Sequence, residues 1–174
     1  MIFTIGHSTR PADVFVGLLR AHGVEALVDV RTIPRSRHNP QYNSDALAKT
    51  LAANGIAYTH APELGGLRKP RRDSINLGWR NESFRGYADY MQTPEFDAAL
   101  DALVAQSGRA RTAVMCAEAV PWRCHRSLVA DALLARGIEA DEIVSDAKTA
   151  RHKLTPFARI EGGRVTYPAS GTLI

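Results

Sequence analysis

The chain has 174 residues, 45% of them hydrophobic and 23% charged, which suffices for one well-buried core and is short for two. It shows no run of roughly 20 apolar residues to span a membrane and no signal pattern, so we expect a cytoplasmic protein without membrane contact. The net charge of +4, carried mostly by arginine, permits an anionic small molecule or a nucleic acid as partner, although a GC-rich genome would also enrich arginine.

Short apolar runs alternate with segments of helical period through the first part of the chain. Strands are predicted at 2–5, 26–30 and 56–60, and helices at 13–22 and from Ser44 to Asn54. The segment 64–79 contains three glycines and the basic run 68–72, which together predict a long loop. That loop is a candidate lid or a candidate contact for a nucleic-acid backbone.

The alternation continues in the second part of the chain. Phe84, Tyr87 and Met91 indicate a short helix, and Thr93-Pro94 begins another with Thr93 as its N-cap. A strand at 112–116, a helix at 124–136, a strand at 142–144 and a hairpin around 161–163 follow. We expect a single domain over 1–174, with a core at 1–147 and a C-terminal appendage at 148–174. The oligomeric state stays open, with a homodimer among the alternatives.

This order of elements predicts an α/β fold with a mostly parallel, five-stranded, Rossmann-like sheet and helices on both faces. By analogy with doubly wound folds, we expect the strand order 3-2-1-4-5. Ligands of such sheets bind beyond the carboxyl ends of the strands, where the order reverses. Three polar segments follow those ends, at Gly6 to Ser8, after Asp29 and after Cys116. They predict a binding cleft.

The first two segments carry groups suited to an anion. Gly6, His7 and Ser8 join a strand to a helix, where backbone N–H groups and the helix dipole favour negative charge. His7 is a candidate proton carrier, although Ser8 is equally typical of an N-cap. Arg31, Arg35 and Arg37 follow the second strand and favour phosphate or carboxylate recognition, while Asp29 with Arg31 could instead form a structural ion pair.

The third segment, residues 116–126, again runs from a strand into a helix. Cys116 at the strand end, followed by Arg123, His125 and Arg126, is typical of enzymes with a thiolate nucleophile. The six residues between Cys116 and Arg123 are one more than phosphatases and sulfurtransferases use, so the similarity is topological. Glu118 is a candidate general acid or base, or alternatively a partner for Arg31 or Arg126.

Cofactor chemistry has little support in the sequence. Cys116, Cys124, His125 and His7 are ligand types for zinc, but their spacing is not that of a zinc site. We therefore predict no metal and no cofactor. A buried apolar role for both cysteines also remains open.

Several short motifs, taken together, resemble the family of domains of unknown function numbered 488. They are Thr4 to Ser8, Asp29 to Arg31 with Pro34, Ser36 and Arg37, Leu64 to Gly66, and Cys116 to Glu118 with Pro121, Cys124, His125 and Arg126. The resemblance implies a compact α/β domain of bacterial or archaeal type and supplies no activity.

Three functions are compatible with these residues. The first is an enzyme acting on a phosphorylated, nucleotide or nucleic-acid substrate, with His7, Glu118 and Cys116 as catalytic candidates. In that enzyme the anion would be bound by the remaining polar residues of the cleft: Gly6, Ser8, Arg31, Arg35, Arg37, Arg123, His125 and Arg126. The second is a non-catalytic module that binds nucleic acid, and the third is a cysteine-dependent phosphatase or sulfurtransferase.

Overall fold

The computed structural model describes residues 1–169 and contains a central sheet with helices packed against it. Its strands are β1 (Ile2–Gly6), β2 (Ala26–Asp29), β3 (Ala57–His60), β4 (Thr112–Cys116), β5 (Ala140–Ile143), β6 (Thr149–Arg151), β7 (Arg159–Glu161) and β8 (Arg164–Thr166). Its α-helices are α1 (Ala12–Ala21), α2 (Ser44–Ala53), α3 (Glu82–Tyr90), α4 (Pro94–Ser107) and α5 (Arg126–Ala135). The α/β fold class and the mostly parallel sheet are confirmed.

The strand order differs from the one predicted. The main sheet has six strands in the order β3-β2-β4-β1-β5-β6, so β4 lies between β1 and β2 instead of beyond β1. The predicted order 3-2-1-4-5 is therefore wrong, because β4 pairs in parallel with both β1 and β2. The sixth strand, β6, was not predicted and pairs antiparallel with β5. The exchange places the carboxyl ends of β2, β4 and β1 side by side.

Helices cover both faces of the sheet, as expected. Successive residues of a strand point to opposite faces, and the buried side chains divide accordingly. Phe3, Leu27 and Met115 pack with α1 and α2, whereas Val28, Val114 and Cys116 pack in the cluster that contains α3, α4 and α5. This alternation decides on which face each polar residue beyond a strand end will lie.

The C-terminal hairpin is confirmed as β7 and β8, and it packs against the body of the protein. Val165 and Tyr167 are buried in the cluster formed with α5. The Tyr167 hydroxyl donates to Asp131 at 2.8 Å, and the Tyr167 N–H donates to Asn76 at 2.9 Å. The appendage predicted at 148–174 extends through residues 170–174, which lie outside the described residues.

Two helix starts matter for the site. Thr93 caps α4 by accepting the N–H of Phe96 at 3.3 Å, with Pro94 in the first turn, as predicted. The helix predicted from 124 begins at Arg126 instead, after a 3-10 turn at Pro121–Arg123. Cys124 is therefore outside the helix, in an extended conformation. Within residues 1–169, no helix is both long and apolar enough to cross a membrane.

Candidate functional site

A cleft of about 800 Å³ opens where the three polar segments meet at the carboxyl ends of β1, β2 and β4. It is lined from the first two segments by residues 7–9 and by parts of 31–39, and across from them by 66–67 and parts of 81–87. The remaining wall is the β4–α5 loop, which we define as residues 117–125, with Cys116 at its base. Of the predicted site residues, Gly6, Arg37 and Arg126 do not line the cleft.

On the α1 and α2 face, Arg31 is held in a buried ion pair. Its guanidinium donates to both carboxylate oxygens of Asp29, at 2.8 and 2.6 Å, and to the Tyr42 carbonyl oxygen at 2.7 Å. Asp29 is fully buried and also accepts the Tyr58 hydroxyl at 2.8 Å. Most donors of Arg31 are thus committed to the protein, and its main role is to neutralise Asp29 at the cleft wall.

His7 continues the alternation of β1 and lies on the same face. Its ring stacks on Tyr42 with centroids 3.9 Å apart. Nδ1 lies 2.7 Å from the Ser8 carbonyl oxygen, which assigns the ring proton to Nδ1 and leaves Nε2 to accept from Arg31 at 3.3 Å. Burial lowers the pKa of His7 to about 4. The imidazole is neutral at physiological pH and both nitrogens are occupied, so His7 supports the wall and does not carry protons.

Acidification through the range of pH 6.5 to about 4 should remove stability that depends on His7. The pKa of His7 is 6.5 in the unfolded chain and about 4 in the folded protein, so between these values the unfolded chain binds a proton that the folded protein does not. The stability is therefore full above pH 6.5 and falls as the pH drops. Urea unfolding of wild type and His7→Gln should show a difference that shrinks across this window. The exposed His38, replaced as His38→Gln, serves as control. An unchanged difference would contradict the buried neutral state.

The turn after β1 does not offer its N–H groups to a ligand. The N–H groups of His7 and Ser8 donate to the carbonyl oxygens of Cys116 and Ala117, both at 2.9 Å. A side chain at Gly6 would overlap the Glu118 carbonyl group, so glycine is required for close approach to the β4–α5 loop. Gly6 and the Ser8 backbone therefore fix that loop, and Ser8 reaches the cleft from a left-handed conformation with φ 52°.

Arg126 fixes the β4–α5 loop from beneath. It is fully buried at the start of α5 and forms an ion pair with Glu142 at 2.8 Å. Its guanidinium also donates to the Glu118 carbonyl oxygen, and at 3.1 Å to that of Ala119. Burial alone would lower the pKa of Arg126, but its contacts with the Cys116 and Glu142 side chains raise it above its ordinary value. Arg126 thus organises the loop and is not available to clamp a substrate.

Because of these contacts, the β4–α5 loop presents a row of N–H groups. The carbonyl oxygens of 116–118 accept hydrogen bonds from His7, Ser8 and Arg126 in turn. In a planar trans peptide the following N–H points the opposite way, so the N–H groups of 117–119 point away from those donors. None of them donates to a described residue. Free backbone N–H groups are donors of the kind that bind anions in proteins.

The two cysteine sulfurs lie beside this loop, on the α5 side. Cys124 Sγ accepts the backbone N–H of Arg126 at 3.5 Å, at the N-terminus of α5. Cys116 Sγ accepts from Arg126 Nη1 at 2.7 Å. The neighbouring Cys116, His125 and Arg126 lower the pKa of Cys124 below that of an ordinary thiol, whereas burial raises the pKa of Cys116 well above its ordinary value. Of the two sulfurs, Cys124 is therefore the one favoured as a thiolate.

His125 completes a Cys–His pair. Its Nδ1 lies 3.7 Å from Cys124 Sγ, and its Nε2 lies 3.2 Å from the Val30 carbonyl oxygen, which orients the ring. The ring also packs against Tyr87, with centroids 5.0 Å apart. A thiolate, an adjacent imidazole and a third group that orients the imidazole form the arrangement of an activated nucleophile.

Two arginines of the cleft are free. Arg35 and Arg123 are exposed and line the cleft, and their guanidinium groups make no hydrogen bond or ion pair with any residue in 1–169. Arg37 is equally exposed but lies outside the cleft wall. The Glu118 carboxylate accepts the Val120 N–H at 3.2 Å and pairs with neither Arg31 nor Arg126, so this predicted alternative is not found.

The long loop contributes only its first part to the cleft. Gly66 and Leu67 line the cleft, but the basic run 68–72 does not. Arg68 stacks on Tyr90, 3.7 Å from the ring centroid, and Arg71 pairs with Asp73 at 2.9 Å. Two of the four basic side chains in the run therefore have partners within the protein, which does not favour a nucleic-acid interface there.

Metal ligation is not supported by the arrangement of side chains. Among the described residues, no three His, Cys, Asp or Glu side chains come together as a metal-binding group. The alternative metal set of Cys116, Cys124, His125 and His7 is therefore not assembled, because His7 lies on the opposite face of the sheet with Tyr42.

The sequence analysis named Cys116 and not Cys124 as a catalytic candidate, whereas the structure puts Cys124 beside His125 at the start of α5. The available signal was the position of Cys124 directly before a helix and a histidine.

A family model described as "Domain of unknown function DUF488" matches residues 11–133. No curated protein and no solved structure matches the chain.

Proposed function

Since the chain belongs to the family of the domain of unknown function DUF488, whose description assigns no reaction, we propose a function from the geometry of the cleft. The protein is an enzyme that acts on a phosphorylated or similar oxyanionic substrate, with Cys124 as its nucleophile. The observation that carries the proposal is the sulfur of Cys124 at the N-terminus of α5, beside His125 and in a cleft with free arginines.

The substrate class follows from the charges that the cleft leaves unpaired. The N–H groups of 117–119 and the guanidinium groups of Arg35 and Arg123 offer several donors to one oxyanion. Backbone N–H groups and arginine together are the usual ligands of phosphate in proteins. Arg31 adds little, because its donors are already used by Asp29 and Tyr42.

The reaction type follows from the sulfur. The Cys124 thiolate attacks the phosphorus of a bound phosphate ester, the bond from phosphorus to the ester oxygen breaks, and that oxygen leaves after taking a proton. Water then cleaves the S–P bond, which releases phosphate and restores the thiolate, while the N–H row and arginines stabilise the charge that builds on the oxygens. Glu118 lines the same cleft and is the carboxylate placed to exchange a proton with the leaving group. The two free cysteines fit a reducing compartment, so the proposal includes the cytoplasm.

The thiolate can be tested without a known substrate, by alkylation. We expect iodoacetamide to modify Cys124 at a rate that is level at neutral pH and halves only at a pH well below the pKa of an ordinary thiol, because the pKa of Cys124 is lowered. An ordinary thiol, with a pKa of 9.0, would already be slow at neutral pH. Peptide mapping assigns the modified residue. A midpoint near that of an ordinary thiol would refute the proposal.

Anion binding is tested in the same assay. Inorganic phosphate should protect Cys124 from alkylation, and Arg123→Gln or Arg35→Gln should weaken that protection about tenfold or more, since a charge-assisted hydrogen bond is lost. Arg37→Gln is the matched control, because Arg37 has the same charge and exposure but lies outside the cleft. Equal loss of protection in all three variants would place the anion elsewhere.

A further inference from the structure

Cys116 is a buried thiol that the proposed reaction does not use. It is 2% exposed, lies at the end of β4 and, like Cys124, contacts Arg126 through its sulfur. We propose that Cys116 is the resolving thiol of Cys124, so that the site reduces a hydroperoxide by two electrons and ends as a Cys116–Cys124 disulfide. This inference shares the Cys124 thiolate with the proposed function but needs no anionic substrate.

The placement of the two sulfurs supports distinct first and second roles. Both contact Arg126: its backbone N–H donates to Cys124 Sγ at 3.5 Å, and its Nη1 donates to Cys116 Sγ at 2.7 Å. Cys124 lies in the loop that forms the cleft wall and takes up the negative charge at a helix N-terminus. Cys116 is more deeply buried and keeps its proton. Both residues line the cleft, so an oxidant that enters it reaches the pair.

The two cysteines together supply both electrons for the reduction of the hydroperoxide. The Cys124 thiolate attacks one oxygen of the hydroperoxide, the O–O bond breaks, and Cys124 becomes a sulfenic acid while the other oxygen leaves as an alcohol or water after taking a proton. Cys116 then attacks the Cys124 sulfur, its thiol proton joins the departing hydroxyl as water, and the S–S bond forms. Two thiols are oxidised and one hydroperoxide is reduced.

Arg126 serves the second step as a positioning residue. Cys116 must lose its proton to attack, and burial opposes the resulting negative charge. The guanidinium 2.7 Å from Cys116 Sγ stabilises that charge as it forms. The same fully buried arginine, through its hydrogen bonds to the Glu118 and Ala119 carbonyl groups, keeps the loop that carries Cys124 in place.

The test uses the full chain, reduced, freed of reductant and treated with hydrogen peroxide in the absence of any substrate. Intact mass should fall by two hydrogen atoms, both free thiols should disappear, and digestion without reductant should yield a peptide joined through Cys116 and Cys124. A reductant should restore the starting mass. Oxidation to sulfinic or sulfonic acid at Cys124 with Cys116 still free would overturn the proposal.

Two variants separate the roles of the sulfurs. Cys116→Ser should stop at the sulfenic acid, which is trapped by dimedone, and then gain further oxygens. Cys124→Ser should leave Cys116 at least about tenfold slower to oxidise, because it is a protonated, buried thiol. Fast oxidation of Cys116 in the Cys124→Ser protein would reverse the assignment. Disulfide formation without turnover of any oxyanionic substrate would support this inference and reject the proposed function. Turnover of such a substrate without disulfide formation would support the proposed function and reject this inference.

Discussion

Cys124→Ser is expected to fold normally and to lose turnover of an oxyanionic substrate by at least about a thousandfold, as removal of a nucleophile does. Serine keeps the size of the side chain but is not ionised at physiological pH. The α5 N-terminus and His125 cannot convert its hydroxyl into a comparable nucleophile. Turnover would be measured across a panel of phosphate monoesters, with folding checked by circular dichroism.

Cys116→Ala is the matched comparison, because it changes the neighbouring sulfur. It removes the hydrogen bond that most lowers the pKa of Cys124, so the acid limb of the turnover profile should move to higher pH while turnover persists. If instead Cys116→Ala abolishes turnover and Cys124→Ser retains it, then the nucleophile is Cys116.

Arg126→Met is expected to destabilise the fold by about 3–5 kcal/mol, as breaking a buried ion pair does. The change leaves Glu142, whose side chain is 12% exposed, without its cationic partner. It also leaves the carbonyl oxygens of Glu118 and Ala119 without a donor, so the loop that carries Cys124 should loosen as well. Denaturant unfolding measures the first effect, and faster proteolysis of the β4–α5 loop reports the second.

Arg71→Met is the control for the loss of an ion pair as such. Arg71 pairs with Asp73 at the surface, where both side chains are largely exposed and solvent screens the pair, so its replacement should leave the stability nearly unchanged. If Arg126→Met were as mild as Arg71→Met, Arg126 would not be the support of the loop that the structure indicates.

The fold class could be predicted because it depends on local patterns. The apolar run at Ile2–Gly6 and the capped helix at Thr93-Pro94 carry their structure in their own residues. The strand order could not be predicted, because it depends on which edges meet. The connection from β1 to β2 through α1 is long enough for adjacent strands and also for strands with one other strand between them. The apolar pattern of β4 does not indicate that it pairs with a strand on each side.

The site shows the same division. The three strand ends predicted that their polar segments would lie together, and the segments do meet at one cleft, since parallel strands bring their carboxyl ends to one edge. The roles within it depended on facts absent from the sequence: Arg31 and Arg126 are consumed by Asp29 and Glu142, and α5 begins two residues after Cys124. The sequence does not show whether the donors of an arginine are free or hydrogen-bonded within the protein. Only the folded structure distinguishes the two cases.

The central position of β4 also sets an order of events during synthesis. On the ribosome β1, β2 and β3 emerge first, yet β1 and β2 share no pairing with each other and are joined only through β4. A nascent chain that ends before residue 112 therefore lacks the strand that unites its sheet. The sheet can therefore join β1 to the β2–β3 pair only after the segment that ends in Cys116, at the base of the cleft, has been synthesised.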